Sequence, residues 1–347
     1  MITAEKIKID LKGLDAQETE KWVEGLGLEA FRGRQIRQWL FKRLASSFDE
    51  MTNLSASLRE LLKEKANINH LERIRTHVSK DTTEKYLFRL ADGLYIESVL
   101  IPERGHYTLC ISSQAGCAMG CAFCLTAQQG LKRNLTPAEI CDQVIQAKRT
   151  MKEPDRLTNI VFMGMGEPLA NYQGVIGAIN NMTAEDGMNF SHRKVTLSTC
   201  GLAPIIRRLG RDTTVNLAVS LNAADDETRD SLMPVNRKYN LKTLISACRA
   251  FPLPNRRMIT FEYILINGVN DRSQDALNLA NLLAGLRAKI NLIPFNPAPN
   301  MEMTRSPAER IMEFQDILIR KHFTAIIRKS KGLDISAACG QLSGEVV

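Results

Sequence analysis

Three cysteines, Cys117, Cys121 and Cys124, stand in the run GCAMGCAFCLT with CxxxCxxC spacing. Three thiolates within eight residues face one centre only if the backbone wraps around it, and such a loop suits an iron–sulfur cluster. Clusters are usually held by four cysteines, and no fourth stands close. Cys110, the nearest, lies seven residues before Cys117 on an apolar run that reads as a strand. Three ligands to a four-iron cluster leave one iron open to bind another molecule. A structural zinc site would also want a fourth ligand at close spacing, and three inert buried thiols are the plain alternative. Elsewhere, Glu167 sits between Gly166 and Pro168, a tight turn on which a carboxylate can present itself. Cys339 lies in the small-residue loop AACGQL, where reach and flexibility favour chemistry. Cys141, Cys200 and Cys248 read as core residues, and Glu97 by itself as a surface strand carboxylate.

These side chains need a scaffold, and the rhythm of the chain predicts one. Up to about residue 90 the pattern is mainly helical. LDAQETEKWVEGLG carries an Asp15 cap and a Gly stop, FRGRQIRQWLFKRLA has helical apolar spacing, and Leu54 to Lys65 reads as a third helix. KYLFRLADGLYIESVLIPE then alternates around Asp92-Gly93, a strong hairpin signal. From about residue 106 strands and helices alternate. TLCISSQ, TNIVFMG, KVTLSTCG, TVNLAVSLNA, MITFEYILING and KINLIPFNP read as six strands, and a helix follows each. Thr136 caps the first of these helices, with Pro137 in its first turn. Six βα units cannot close an eight-stranded barrel, so the reading is α/β: a partial (β/α)6 barrel over 93–347 behind a small, mainly helical accessory domain over 1–92. Such sheets place their chemistry beyond the carboxyl ends of the strands. The cluster loop, GMGEP, STCG, SLNA and FNP all fall there.

Composition bounds the rest. The 347 residues are 44% hydrophobic and 24% charged, an ordinary globular balance with room for one large domain and a small one. No run of eighteen apolar residues suggests a membrane span. The start MITAEKIKIDLKG lacks an apolar signal core, predicting a cytoplasmic chain whose cysteines stay reduced. A net charge of +8 and a pI near 9.1 favour a polyanionic partner. RGRQIRQWLFKR, residues 32–43, interleaves five basic residues with Trp39 and Phe41, a pattern that can stack on bases and meet phosphates. RKSKG, 328–332, is a second basic stretch. The alternative for the former is a solvated helix face over a buried aromatic stripe.

CISSQAGCAMGCAFCLTAQQG, FMGMGEPLAN, TLSTCG, AVSLNA, MPVN, NLIPFNP and DISAACGQL, in this order, resemble the radical S-adenosylmethionine (SAM) superfamily, and within it the RlmN/Cfr family of RNA methyltransferases. The resemblance is strong over about 95–347 and weaker before. It implies one 4Fe-4S cluster held by Cys117, Cys121 and Cys124, with SAM chelated to the open iron. Gly166, Glu167, Ser198, Ser220, Leu221, Asn222 and Asn296 match positions lining the family's SAM pocket, although Asn222 stands where many relatives have His. Cys339 matches the cysteine that carries the methyl group as S-methylcysteine, Cys110 its resolving partner through a transient disulfide, and Glu97 the proton-accepting position. The implied reaction methylates adenine C2 in 23S rRNA and in tRNA beside the anticodon. It consumes two SAM per turnover and draws electrons from a low-potential donor such as flavodoxin or ferredoxin. TAQQG and GMGEPL resemble this branch more than the antibiotic-resistance branch acting at adenine C8. That C8 chemistry, a radical SAM protein acting on a small molecule, and a non-enzymatic zinc-holding RNA-binding protein are the competing readings. A monomer without membrane contact is expected.

Overall fold

The computed structural model describes residues 8–298 and 301–344. Strand β1 (Ile9–Asp10) leads into α1 (Ala16–Gly25), α2 (Phe31–Phe41) and α3 (Ala56–Lys65), and β2 (Ala66–Asn67) returns to pair in parallel with β1. Then come β3 (Glu72–Val78), β4 (Glu84–Arg89), β5 (Tyr95–Glu103) and β6 (His106–Cys110). A short ribbon follows, β7 (Gln114–Gly116) and β8 (Leu131–Asn134), with α4 (Leu125–Gln128) between its strands. From there the elements alternate. They are α5 (Pro137–Thr150), β9 (Leu157–Phe162), α6 (Tyr172–Thr183), β10 (Val195–Thr199), α7 (Ala203–Asp212) and β11 (Asn216–Ser220). The series continues through α8 (Asp226–Leu232), α9 (Leu241–Arg249), β12 (Ile259–Leu265), α10 (Ser273–Leu282), β13 (Ala288–Pro294), α11 (Ala308–Arg320) and β14 (Thr324–Ile327).

Ten strands form one open sheet in the order β14-β13-β12-β11-β10-β9-β6-β5-β4-β3. Every pairing from β6 to β14 is parallel, whereas β3, β4, β5 and β6 pair antiparallel in turn. This is the partial barrel expected, with a seventh parallel strand added by β14. TAII is only four residues long and buries Ala325 alone, so it carries no readable strand pattern. The six longer parallel strands bury Leu109, Ile160, Leu197, Val219, Phe261 and Leu292, which form the core beneath the helices.

Local chemistry explains the element ends. Asp15 accepts from the Glu18 amide and Glu18 answers to the Asp15 amide, both at 2.9 Å, so α1 starts on a complete capping box. Thr136 and Glu139 do the same for α5, with Pro137 at its first position. At the Asp92-Gly93 turn, the Asp92 side chain accepts from the Leu94 amide and Gly93 takes φ +83°. The expected division at residue 92 therefore falls in the turn of a hydrogen-bonded hairpin whose two strands, β4 and β5, belong to one sheet.

The helical N-terminal part docks on α5 and α6 through buried charges. Lys12 donates to Asp142 at 2.6 Å, and Asp142 also accepts from the Leu71 amide at 2.6 Å. Arg37, fully buried, donates to Asp186 at 2.9 and 3.2 Å, to Asn181 at 2.7 Å and to the Leu14 carbonyl at 3.0 Å. Removing one partner of a buried ion pair leaves the others desolvated and unmatched. Arg37→Ala should therefore cost roughly 3 kcal/mol of stability, read as a fall in the urea midpoint. Arg43→Ala, which loses only a guanidinium stacked 4.2 Å from the Trp39 ring, should cost under about 1 kcal/mol.

Candidate active site

The cluster motif opens directly from β7. Gly116 takes φ +75°, and a Cβ there would collide with the carbonyl of Gly130, the residue just before β8, so only glycine lets the chain turn into the cysteine loop at this point. The Cys117 amide donates to Gly130 O at 3.1 Å, the Ala122 amide to Leu232 O at 3.0 Å, and the Cys124 amide to Cys121 O at 3.2 Å. Cys117, Cys121 and Cys124 line one cavity of about 840 Å³ beyond the carboxyl ends of the parallel strands. Among the described residues no three His, Cys, Asp or Glu side chains converge as a single-ion site. Thiols standing around a shared space suit a cluster, in which each thiolate takes its own iron. Burial raises the Cys117 thiol to about 11 and pushes Cys121 up as well, so both need a cationic centre to hold them as thiolates.

The far wall of this cavity is built from strand ends. Gly166, Glu167, Ser198, Ser220 and Asn222, all expected there, line it beside Thr199, Cys200, Glu262 and Ile264. Gly166 has φ +99° and a Cβ would stand 2.5 Å from Gln114 Cβ, so the turn after β9 packs against β7 only as glycine. The buried Glu167 carboxylate accepts from the Leu169 amide at 2.9 Å and the Cys200 amide at 2.7 Å, tying the loops after β9 and β10 together. Asn222 takes φ +59°, a conformation asparagine tolerates better than most side chains. Its Oδ1 accepts from the Ile264 amide at 2.9 Å, so the residue found where many relatives have His pins β12 to the loop after β11.

Two expected pocket residues stand elsewhere. Leu221 is fully buried behind the wall, its amide donating to Glu262 O at 2.9 Å and its carbonyl accepting from Arg229 Nε at 3.0 Å. Asn296 lines a second cavity of about 750 Å³, where its Nδ2 donates to the Cys339 carbonyl at 3.2 Å. Cys110, the last residue of β6, lines this second cavity together with Arg328, Lys329 and Lys331. Cys339 and Cys124 border both spaces. Burial pushes the Cys110 thiol well up, with the nearby Cys339 thiol adding to it and Arg328 opposing it. The Cys339 side chain is exposed into the cavities, yet its protein-walled surroundings also raise its thiol, again against the Arg328 charge.

The loop that carries Cys339 is strapped along its length. The Gly340 carbonyl accepts from the Leu125 amide at 2.8 Å and the Leu342 carbonyl from Thr126 Oγ1 at 2.6 Å. Glu97 lines neither cavity. It is buried on β5, paired with Lys85 at 2.9 Å, and accepts from the Ser343 and Gly344 amides at 2.8 and 3.0 Å. Sequence reading missed Glu262, although a lone carboxylate inside the apolar strand MITFEYILI was a visible signal. It also set Arg37 in a basic, base-stacking segment, where the structure buries that residue in a salt bridge. Trp39, in the same segment, donates to Asn53 at 2.5 Å beneath Arg43.

A cysteine-ringed cavity at the carboxyl edge of an open parallel barrel defines a radical SAM protein, and residues 111–280 match that superfamily. Residues 9–68 match the ribosomal RNA large subunit methyltransferase N-terminal domain. Curated relatives described as dual-specificity RNA methyltransferase RlmN include that of Geobacter sulfurreducens, 54% identical over 97% of this chain and 93% of the relative. The relative from Desulfosudis oleivorans is 52% identical over 97% and 91%. The crystal structure of a radical SAM methyltransferase from Sphaerobacter thermophilus superposes with a TM-score of 0.92 at 45% identity, covering 97% of this chain and all of that one. The chain belongs to the RlmN family.

Proposed function

We propose that this chain methylates adenine C2 in 23S rRNA and in tRNA, carrying the methyl group on Cys339. The supporting observation is that Cys339 borders both the cavity ringed by the cluster motif and the cavity of Cys110 and its basic rim. The donor set fits the implied groups: Cys117, Cys121 and Cys124 would hold the cluster, and the β9–β12 wall would hold SAM. When bound, these supply an electrophilic methyl group and, on one-electron reduction, a carbon radical, at two SAM per turnover.

Everything else falls to side chains. The Cys339 thiolate takes the methyl group by displacement. Adenine C2–H is neither acidic nor electrophilic enough for that displacement, so the S-methyl must first lose a hydrogen atom and then join the ring as a carbon radical. The adduct radical gives up one electron to the redox centre that the cysteine loop would hold. The Cys110 thiolate then attacks Cys339 Sγ, a disulfide forms, and the Sγ–carbon bond releases its electron pair to the base, which loses the C2 proton and gains one on the new methyl carbon. Arg328 faces both thiols and offsets the cost of their anions. Glu97 anchors the loop in this conformation through Oε2, which accepts from the Ser343 and Gly344 amides, and its proposed part is to accept the C2 proton. A flipped adenine would enter the second cavity, with its phosphates on Arg328, Lys329 and Lys331. A low-potential flavodoxin or ferredoxin would supply electrons to a monomeric, cytoplasmic enzyme. Among the described residues no helix is long and apolar enough to cross a membrane.

The test is anaerobic reconstitution with iron, sulfide, labelled SAM and ribosomal RNA fragments, then nucleoside mass spectrometry. A brown protein yielding 2-methyladenosine is expected. Colourless protein without SAM cleavage, or 8-methyladenosine as the product, overturns the proposal.

A further inference from the structure

Arg229, on α8, is fully buried, yet among the described residues no carboxylate stands within ion-pair distance of it. Its guanidinium donates to neutral oxygens: the Leu221, Cys200 and Ser220 carbonyls at 3.0, 2.7 and 3.3 Å, and the Asn236 amide oxygen at 2.9 Å. The exposed Asp226 and the half-buried Asp230 reach it only through Asn236, whose Nδ2 donates to them at 2.9 and 2.7 Å. The other buried cations among the described residues, Lys12, Arg37 and Lys85, each have a carboxylate of their own in Asp142, Asp186 and Glu97. A buried charge is costly unless an opposite charge meets it, so a guanidinium kept here implies an anion that arrives with the ligand. The packing of α8 says where. The Leu232 carbonyl accepts from the Ala122 amide of the cysteine loop at 3.0 Å, and Cys200 lines the cavity beside Cys117, Cys121 and Cys124. The Arg229 charge is felt at Cys121, where it opposes the upward push of burial.

We propose that Arg229 is the counter-charge of the iron–sulfur cluster, raising its reduction potential from behind the cavity wall. The inference rests on the radical SAM reading above. Three thiolates outweigh the charge of a four-iron core, so the loaded site is anionic and becomes more so when it takes up one electron from the low-potential donor. A cation fixed in a low-dielectric wall favours the more negative, reduced form. Arg229 acts through its field alone: it neither gains nor loses a proton, because a guanidinium stays protonated. Its fork of donors also ties the loops after β10 and β11 together. That structural task needs donors of the right shape but not a charge, which is what separates the two roles.

A redox titration of the anaerobically reconstituted protein tests this, with dithionite and mediators as reductant and visible absorption as the readout. Arg229→Gln keeps an amide donor and loses the charge. At a fixed potential its ratio of reduced to oxidised cluster should drop about 10-fold, equivalent to about 59 mV for one electron. Arg229→Lys, which keeps the charge and loses the fork, should stay much nearer the native potential. Iron content and circular dichroism check that each variant is loaded and folded. An unchanged potential in loaded Arg229→Gln, or an equal fall in both variants, overturns the proposal and leaves the radical SAM reading intact. Should Arg229→Gln fail to fold, Arg229→Lys decides alone: a native-like potential upholds the proposal, and a drop as large as that expected for Gln overturns it. Native protein that takes up no cluster overturns both readings.

Discussion

Replacing Cys339 by Ala is expected to lower RNA methylation by about 10⁴-fold or more, to below detection, while SAM is still cleaved reductively. The two readouts separate because Cys339 stands outside the cysteine loop that would hold the cluster, and its proposed role is to carry the methyl group. In the proposed relay it also carries the group to adenine and is attacked at Sγ by Cys110, but its removal should not dismantle the loop around it. The straps there are made by backbone atoms: Cys339 O with Asn296, Gly340 O with the Leu125 amide, and the Ala338 amide with Gln341 Oε1 at 3.2 Å. Cys339→Ser should be nearly as inactive, since an alcohol at neutral pH is a far weaker nucleophile than a thiolate. The measurement pairs transfer of labelled methyl to RNA with 5′-deoxyadenosine release. If methylation survives in Cys339→Ala, the methyl group travels directly from SAM and the sulfur relay is wrong.

The barrel and the cavity wall were readable because their signals are local. Alternating strands and helices, the Asp92-Gly93 turn and the Thr136 cap each depend on neighbours in sequence, and the cysteine triplet occupies a single loop. The glycines at 116 and 166 were visible as residues, but their necessity comes from Gly130 and Gln114, contacts that only the folded sheet creates. Glu97 shows the opposite limit. Its strand could be read, but its hydrogen bonds reach to residues 343 and 344, and no pattern within β5 announces a partner so distant. Arg37 likewise sits among basic neighbours on α2 and looks like one more surface cation, until α6 supplies Asn181 and the turn beyond it Asp186. The basic stretch at 328–332 was visible in sequence only as charge, and its Arg328, Lys329 and Lys331 line the cavity that Cys110 and Cys339 share. Charge runs are ambiguous in sequence for this reason: burial decides between a docking salt bridge and a solvated face, and burial is a property of the tertiary fold.

The second large effect falls on Cys110. Cys110→Ala should retain methylation of Cys339 and its coupling to adenine, then stall, accumulating protein bound covalently to RNA through Cys339. Turnover requires the Sγ–carbon bond to break, and its cleavage needs a thiolate attacking Sγ along the bond axis. In the proposed relay that thiolate is Cys110, which ends β6, in register with Val161 of β9 and Val99 of β5, and lines the cavity that Cys339 borders. Its thiol is pushed up by burial, with the Arg328 charge opposing that shift. Denaturing gel electrophoresis with labelled RNA should show a slow-migrating band in Cys110→Ala that nuclease digestion trims, and Cys339→Ala introduced into that variant should remove it. Normal multiple turnover by Cys110→Ala would mean that another base or nucleophile resolves the intermediate. Of the other thiols lining the cavities that Cys339 borders, Cys117, Cys121 and Cys124 belong to the cluster motif and Cys200 is buried, so the adduct should persist until an external thiol reaches the exposed Cys339.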